Sequence, residues 1–311
     1  MAAKIKTDIT IEQNSDKKLN QLAAKTVLYD RVQWVQFLQA IIPVSNAIVW
    51  PVLLWCHPSW TVGSAFCGLI IPLFDELILV PRSYEWKIIA AKIQELFDCE
   101  LLHIPWNYAK NGKKPTTEII LKFAQKYNES NRESLKDWYP VEIQPLPVEF
   151  ARLICQRANC WWDAELRKRY ADLLTGSVSV IALLAFVICL ATGFTLAKFV
   201  LCVIAPLTPA ILWAIKERKI QLEAAIQGKD LLDYSIMIWH TRSQNADTIN
   251  DMERLSRILQ DGIFDRRKTS PVTPFWLYKF CRLGDEHTMK KVAQEMVKEY
   301  DAAMANNPES M

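Results

Sequence analysis

Residues 173–215 read LLTGSVSVIALLAFVICLATGFTLAKFVLCVIAPLTPAILWAI, and Lys198 is the one charged side chain in the run. A bilayer core about 30 Å thick takes ~20 apolar helical residues. The run is too long for one pass and fits two, with the turn near 192–198, where Gly193 gives the backbone the freedom to reverse. Pro206 and Pro209 fall in the later pass, and Trp213, Lys216, Arg218 and Lys219 mark its exit.

An earlier block repeats the pattern. Residues 35–55 hold no charged side chain and are flanked by Trp34 and Trp55, amphipathic rings suited to a membrane–water interface. Pro43 and Pro51 lie inside this span, where a bilayer helix tolerates them. After a short loop at 56–60, a second span runs over 60–80, ending at Pro81 and Arg82. The basic residues decide orientation. Lys17, Lys18, Lys25 and Arg31 precede the first span, and Arg82, Lys87 and Lys92 follow the second. Arg167, Lys168 and Arg169 precede the third, and Lys216, Arg218 and Lys219 follow the fourth. The two hairpin loops hold only Lys198 between them, so the bias places every long segment and both termini in the cytoplasm.

The expected fold is a membrane protein, mainly α-helical, with four transmembrane helices in a 2+2 arrangement. The divisions are a cytoplasmic N-terminal helix at 1–33, hairpin one at 34–81, a cytoplasmic mixed α/β insert at 82–172, hairpin two at 173–216 and a helical cytoplasmic segment at 217–311. In the insert, Trp86, Ile89, Ile93 and Phe97 share a helical face. The apolar run 99–104 reads as a short strand, 138–147 with its three prolines cannot be helical throughout, and 147–174 reads as a helix leading into the third span.

Totals alone do not require a membrane. The chain has 311 residues, a formal net charge of +3 and 51% hydrophobic residues; the segregation of apolar residues into two blocks is the informative feature. Residues 1–25 are polar, with no apolar core, so no cleavable signal peptide is expected. Eight cysteines form no CxxC pair, and they read as small buried hydrophobes. No nucleotide-binding glycine loop, HExxH or GxSxG is present. The four histidines are scattered, so neither an enzyme nor a metal or other cofactor is expected.

Two features carry chemistry. The first is RLICQRANCWWDAELRKR at 152–169. On a helix Arg157, Trp161 and Glu165 form one stripe, and Gln156, Asn159 and Asp163 a neighbouring one. Arginine and tryptophan together suit an anionic ring system, by charge pairing and stacking; an interfacial helix with tryptophan anchors has the same composition. Gln156, Arg157, Trp161 and Trp162 are the ligand candidates here, joined by Arg266 and Arg267 of a basic cluster that also suits a solvated turn. The second feature is Asp75-Glu76 near the inner end of the second span. Carboxylates in lipid face a partner, a cavity or water. The pair is a pore-lining or gating candidate, or an interfacial pair held by Arg82 or Lys87.

Several phrases carry a family resemblance: Asp75-Glu76 with Pro81-Arg82, the stretch AKIQELFDC at 91–99, Pro105-Trp106-Asn107 with Lys113-Lys114-Pro115, and Trp138-Tyr139-Pro140. They continue in ARLICQR at 151–157, Trp161-Trp162-Asp163, Leu259-Gln260-Asp261, Arg266-Arg267, Pro271 and FWLY at 275–278. With this layout the chain resembles the SMODS-associated four-transmembrane family of pore-forming effectors, found beside bacterial cyclic-oligonucleotide synthases in antiphage signalling. The resemblance implies an inner-membrane homo-oligomer that opens the bilayer when a partner nucleotidyltransferase makes a cyclic oligonucleotide, with no direct binding of DNA or RNA. It carries over no binding residue. The rival reading is a constitutive scaffold or small transporter with a protein-binding cytoplasmic segment.

Overall fold

The computed structural model describes residues 8–193, 195, 197, 200, 204–242 and 249–306. Lys198, Cys202 and the expected frayed tail beyond 306 lie outside them. In chain order the helices are α1 (Ile9–Glu12), α2 (Asp16–Cys56), α3 (Thr61–Phe74), α4 (Val80–Leu101), α5 (Tyr108–Asn111) and α6 (Thr117–Ala124). They continue as α7 (Val148–Thr192), α8 (Ala205–Arg242), α9 (Ile249–Thr269) and α10 (Phe275–Asn306). A wide π turn, Asp75–Leu79, joins α3 to α4 without a break. Short 3-10 turns cover Glu129–Leu135 and Val141–Ile143, the second within the proline-rich stretch.

Among the described residues the chain is helical and contains no strand. The run 99–104 is the end of α4 instead. His103 takes a left-handed φ of 53°, and the Ile104 N–H reaches back to the Cys99 carbonyl at 2.9 Å. This is a Schellman closure. Arg152 completes it, donating from Nε to the Leu102 carbonyl and from Nη2 to that of His103.

Pro81 does not end its helix either. Proline lacks the N–H that would complete an α turn, and its ring crowds the carbonyl four residues back. The π turn just before it relieves that crowding, because the Val80 N–H bonds the Asp75 carbonyl, five residues back rather than four. At the end of α7 Gly193 caps the helix with φ 62° and ψ 32°, the left-handed cap glycine favours.

Among the described residues two helices are long and apolar enough to cross a membrane, Thr61–Leu101 and Val148–Ala191. At ~1.5 Å per residue each runs about 60 Å, twice a bilayer core. One end of each is bare and the other buried. No residue of α3 is buried, whereas Ala90, Ile93, Phe97 and Leu101 of α4 are fully enclosed. At this end α2 packs along α4 and α6, α7 along α8, and α9 crosses α4, α7 and α8. Leu22, Leu28, Tyr139, Ile143, Leu146, Ile154, Leu259 and Ile263 fill the space between them.

Candidate functional site: a buried polar lock and the membrane acids

The core of the helical bundle is crossed by a chain of polar side chains. Glu95 and Asp98 lie one turn apart on α4, both fully buried. From α9, Arg257 pairs with Glu95 at 2.7 Å and Arg267 with Asp98. Gln260 lies between them and donates to both acids, at 2.8 and 3.0 Å. The Tyr139 hydroxyl donates to Asp98 at 2.7 Å and accepts from Asn159 Nδ2 at 2.7 Å. Gln156 of α7 donates to the Gln260 side chain and to the Ser256 carbonyl, and accepts from the Ser256 hydroxyl. Two buried acids thus meet two arginines within a nearly complete hydrogen-bond set, which is what makes buried charge tolerable. Burial pushes the Glu95 carboxyl upward, and Arg257 opposes it. Burial and the neighbouring Asp98 raise the Tyr139 phenol well above its ordinary value.

A second cluster lies closer to the apolar ends. Asp163 of α7 takes Arg167 at 2.6 Å and Arg266 at 2.8 Å. Burial alone would raise its carboxyl; Arg167 and Arg266 outweigh that and hold it down at about 2. Gly228 of α8 makes room for Arg266, since a Cβ there would collide with the guanidinium and press on Ala164.

Arg167 also donates to the Pro271 carbonyl in the linker between α9 and α10. Lys87 of α4 donates to the Thr269 and Ser270 carbonyls. Gln33 of α2 donates to the Thr273 carbonyl and accepts from the Phe275 N–H. Three helices that carry apolar runs therefore hold one linker, at the level where their bare surfaces begin.

The sequence candidates divide accordingly. Gln156, Arg266 and Arg267 belong to the internal clusters. Trp162 packs in a small separate core with Leu166, Tyr170, Leu174 and Leu277, its ring 5.6 Å from that of Tyr278. Arg157 and Trp161 share the wall of a cavity of about 50 Å³ beside α10, room for a few waters and not for a base. Arg157 has no hydrogen-bond or ion-pair partner among the described residues. Cys99, Cys155 and Cys160 are buried free thiols.

Sequence reading passed over Glu95, Asp98, Arg257 and Gln260. The available signal was acids three apart amid Ile93, Leu96 and Phe97, a costly pattern unless cations arrive from elsewhere.

Asp75 and Glu76 open the π turn. Asp75 accepts from Gln39 of α2 at 2.7 Å. Neither acid pairs with Arg82 or Lys87, and Lys87 is spent on the linker. Asp75 stands 14 residues beyond Thr61, or roughly 21 Å along the helix axis, beside exposed Phe74, Leu77 and Ile78.

Residues 7–296 match the family described as SMODS-associating 4TM effector domain. A protein of Bacillus cereus (strain VD146), described as a probable CBASS effector molecule, is 24% identical over 301 residues, which span 92% of this chain and 97% of that protein. No solved structure matches. With two helices among the described residues long and apolar enough to cross a membrane, and a family profile covering nearly its whole length, the chain is a membrane protein and belongs to the SMODS-associating four-transmembrane effector family.

Proposed function

We propose that the chain is an antiphage effector of the bacterial inner membrane, which forms or opens a pore when a cyclic oligonucleotide binds its cytoplasmic bundle. Both termini and the bundle face the cytoplasm in this reading, as the basic flanks require. The observation that carries it is the pair Asp75-Glu76. A carboxylate at the centre of a span costs about 2.5–3.5 kcal/mol on insertion scales, and less toward its inner end, unless it meets water or a partner. Gln39 gives Asp75 one hydrogen bond and no charge. Several subunits surrounding a wet lumen would solvate both acids, and one four-helix subunit encloses too little space to do so. For the messenger to act as a switch it must bind the open assembly more tightly than the closed one.

The test is release of an encapsulated dye from liposomes carrying the full chain, challenged with a panel of cyclic di- and trinucleotides. Release with one nucleotide and a tight vesicle without it is the expected result; tight vesicles under the whole panel would overturn the reading. Asp75→Asn combined with Glu76→Gln should change the release rate or ion preference at normal insertion. Unchanged release in that double variant would remove the acids from the lumen.

A further inference from the structure

A cleft of the bundle lies away from the residues that sequence reading selected. It has a volume of about 350 Å³ and is walled by α2, α4, the loop before α6 and α6 itself. That is within the ~300–1,000 Å³ of ordinary ligand pockets. Its floor is apolar, from Leu96 and Ile120, and its edge is cationic, from Lys17 and Lys114. Lys114 is exposed and forms no ion pair among the described residues; its Nζ lies 5.9 Å from the Trp106 ring centroid. Lys17 is 68% exposed and spends one donor on Glu100 at 2.9 Å.

Glu100 is the cleft's acid and is already compensated. Lys17, Lys18 and Gln21 all donate to it, at 2.9, 2.9 and 3.0 Å. Burial would raise its carboxyl, and these three donors outweigh that and bring it down to about 2. It therefore stays ionised without leaving the edge anionic.

The decisive atom is Gln21 Oε1. Gln21 is 1% exposed, lines the cleft and gives its NH₂ to Glu100. Its carbonyl oxygen is buried with no hydrogen-bond partner. An orphaned buried acceptor costs about 1–3 kcal/mol, and a small shift of the Gln21 side chain toward the cleft would let a ligand N–H recover it.

We infer that this cleft, between Lys17, Gln21 and Lys114, binds one nucleotide unit: a phosphate on the two ammonium groups, a flat base over Leu96 and Ile120, and a base N–H on Gln21 Oε1. The inference rests on the reading of the chain as a nucleotide-responsive effector, and it names a site for that response. Both walls lead toward the membrane, since α2 runs on to Cys56 and α4 runs back to Thr61 through the π turn. A ligand bridging them ties the bundle directly to the first hairpin.

The test is titration calorimetry of the full chain in lipid nanodiscs. One arm uses cyclic di- and trinucleotides, and a second uses linear nucleoside mono- and triphosphates, to separate a cyclic messenger from a free nucleotide. Lys114→Glu should weaken binding roughly ten- to a hundred-fold, the range of a charge-assisted bond. Gln21→Met, with its melting temperature checked, should weaken it roughly five-fold or more; Lys298→Glu, on α10 and outside the cleft lining, should leave it unchanged. Wild-type affinity in both cleft variants, with dye release intact, overturns the site and leaves the effector reading standing. Loss of binding in the variants while wild-type vesicles stay tight keeps the site and removes the pore. No binding of any nucleotide to the wild type overturns the site.

Discussion

The helix Thr61–Leu101 has two halves that differ more from each other than from their neighbours. From Thr61 to Leu79 it presents Val62, Phe66, Leu69 and Leu77 to its surroundings and buries nothing. From Ala90 to Leu101 nearly every side chain is enclosed, including two acids. One half suits a solvent of hydrocarbon, in which an exposed leucine costs nothing. The other follows the rules of a water-soluble core, where apolar groups leave water and every buried charge meets another. The boundary is where Lys87 holds the Thr269 and Ser270 carbonyls.

The comparison breaks most sharply at Arg267. Arg267→Met leaves Asp98 buried without its cation, a change of about 3–5 kcal/mol for a broken buried pair. The bundle should lose protection in hydrogen exchange while the bare half of the same helix stays inserted. Loss of protection in both halves together would show that they are one cooperative unit.

Gly228→Ala is next. The added methyl meets Arg266 and Ala164, and overpacking of this kind costs about 1–3 kcal/mol. Thermal unfolding followed by tryptophan fluorescence should report it, and an unchanged midpoint would mean the Arg266 guanidinium swings aside freely.

Lys25 offers a pH dependence confined to the bundle. Its Nζ is buried and lies 3.8 Å from the Trp138 ring centroid. Burial, with Arg267 adding to it, pulls its pKa down to about 7. The folded value is below the unfolded one, so between about 7 and 10.5 the unfolded chain binds more protons. Stability should rise with pH across that window, by at most about 1.4 kcal/mol per unit, and by less to the extent that Trp138 favours the cation. Lys25→Met should flatten the slope, and a flat wild-type profile would remove Lys25 as its source.

The smallest effect belongs to the bare half. Leu183→Ala, on an exposed position of α7, exchanges one lipid contact for another and should change subunit stability by under about 1 kcal/mol. A loss of oligomer on native gels would instead place Leu183 between subunits.

Both bare regions were legible because a bilayer writes a one-dimensional signal: apolar runs of the required length, broken at Gly193. The helix leading into the third span was legible for the same reason, since nothing between Val148 and Thr192 interrupts it. The strand expected at 99–104 failed because an apolar run of six fits a buried helix end as well as a strand, and the Schellman closure at His103 has no glycine to announce it. The polar lock was not legible, because its pairs span 20–169 positions, from Asn159 with Tyr139 to Asp98 with Arg267. Even so, several phrases that carried the resemblance supply it: AKIQELFDC holds Glu95 and Asp98, and others hold Tyr139, Gln156, Gln260 and Arg267. Asn107 and Pro105 support it from outside, bonding Asp261 and Arg257. A residue pattern recognised as a phrase was a set of contacts that spacing alone could not join.

The wide turn at Asp75–Leu79 also bears on how the chain can change length. A bond five residues back encloses one residue more than an α turn does, so at this point the helix carries a single surplus residue. Deleting one residue between Asp75 and Leu79 would let the turn tighten to α geometry with the apolar stripe above and the core face below still in phase. The same deletion anywhere in 90–97 would rotate every buried side chain beyond it by about 100°, carrying Asp98 away from Arg267. The π turn is thus the place in this helix where a one-residue deletion keeps both faces in phase, and its steric consequence falls on Pro81, whose ring the wide turn relieves.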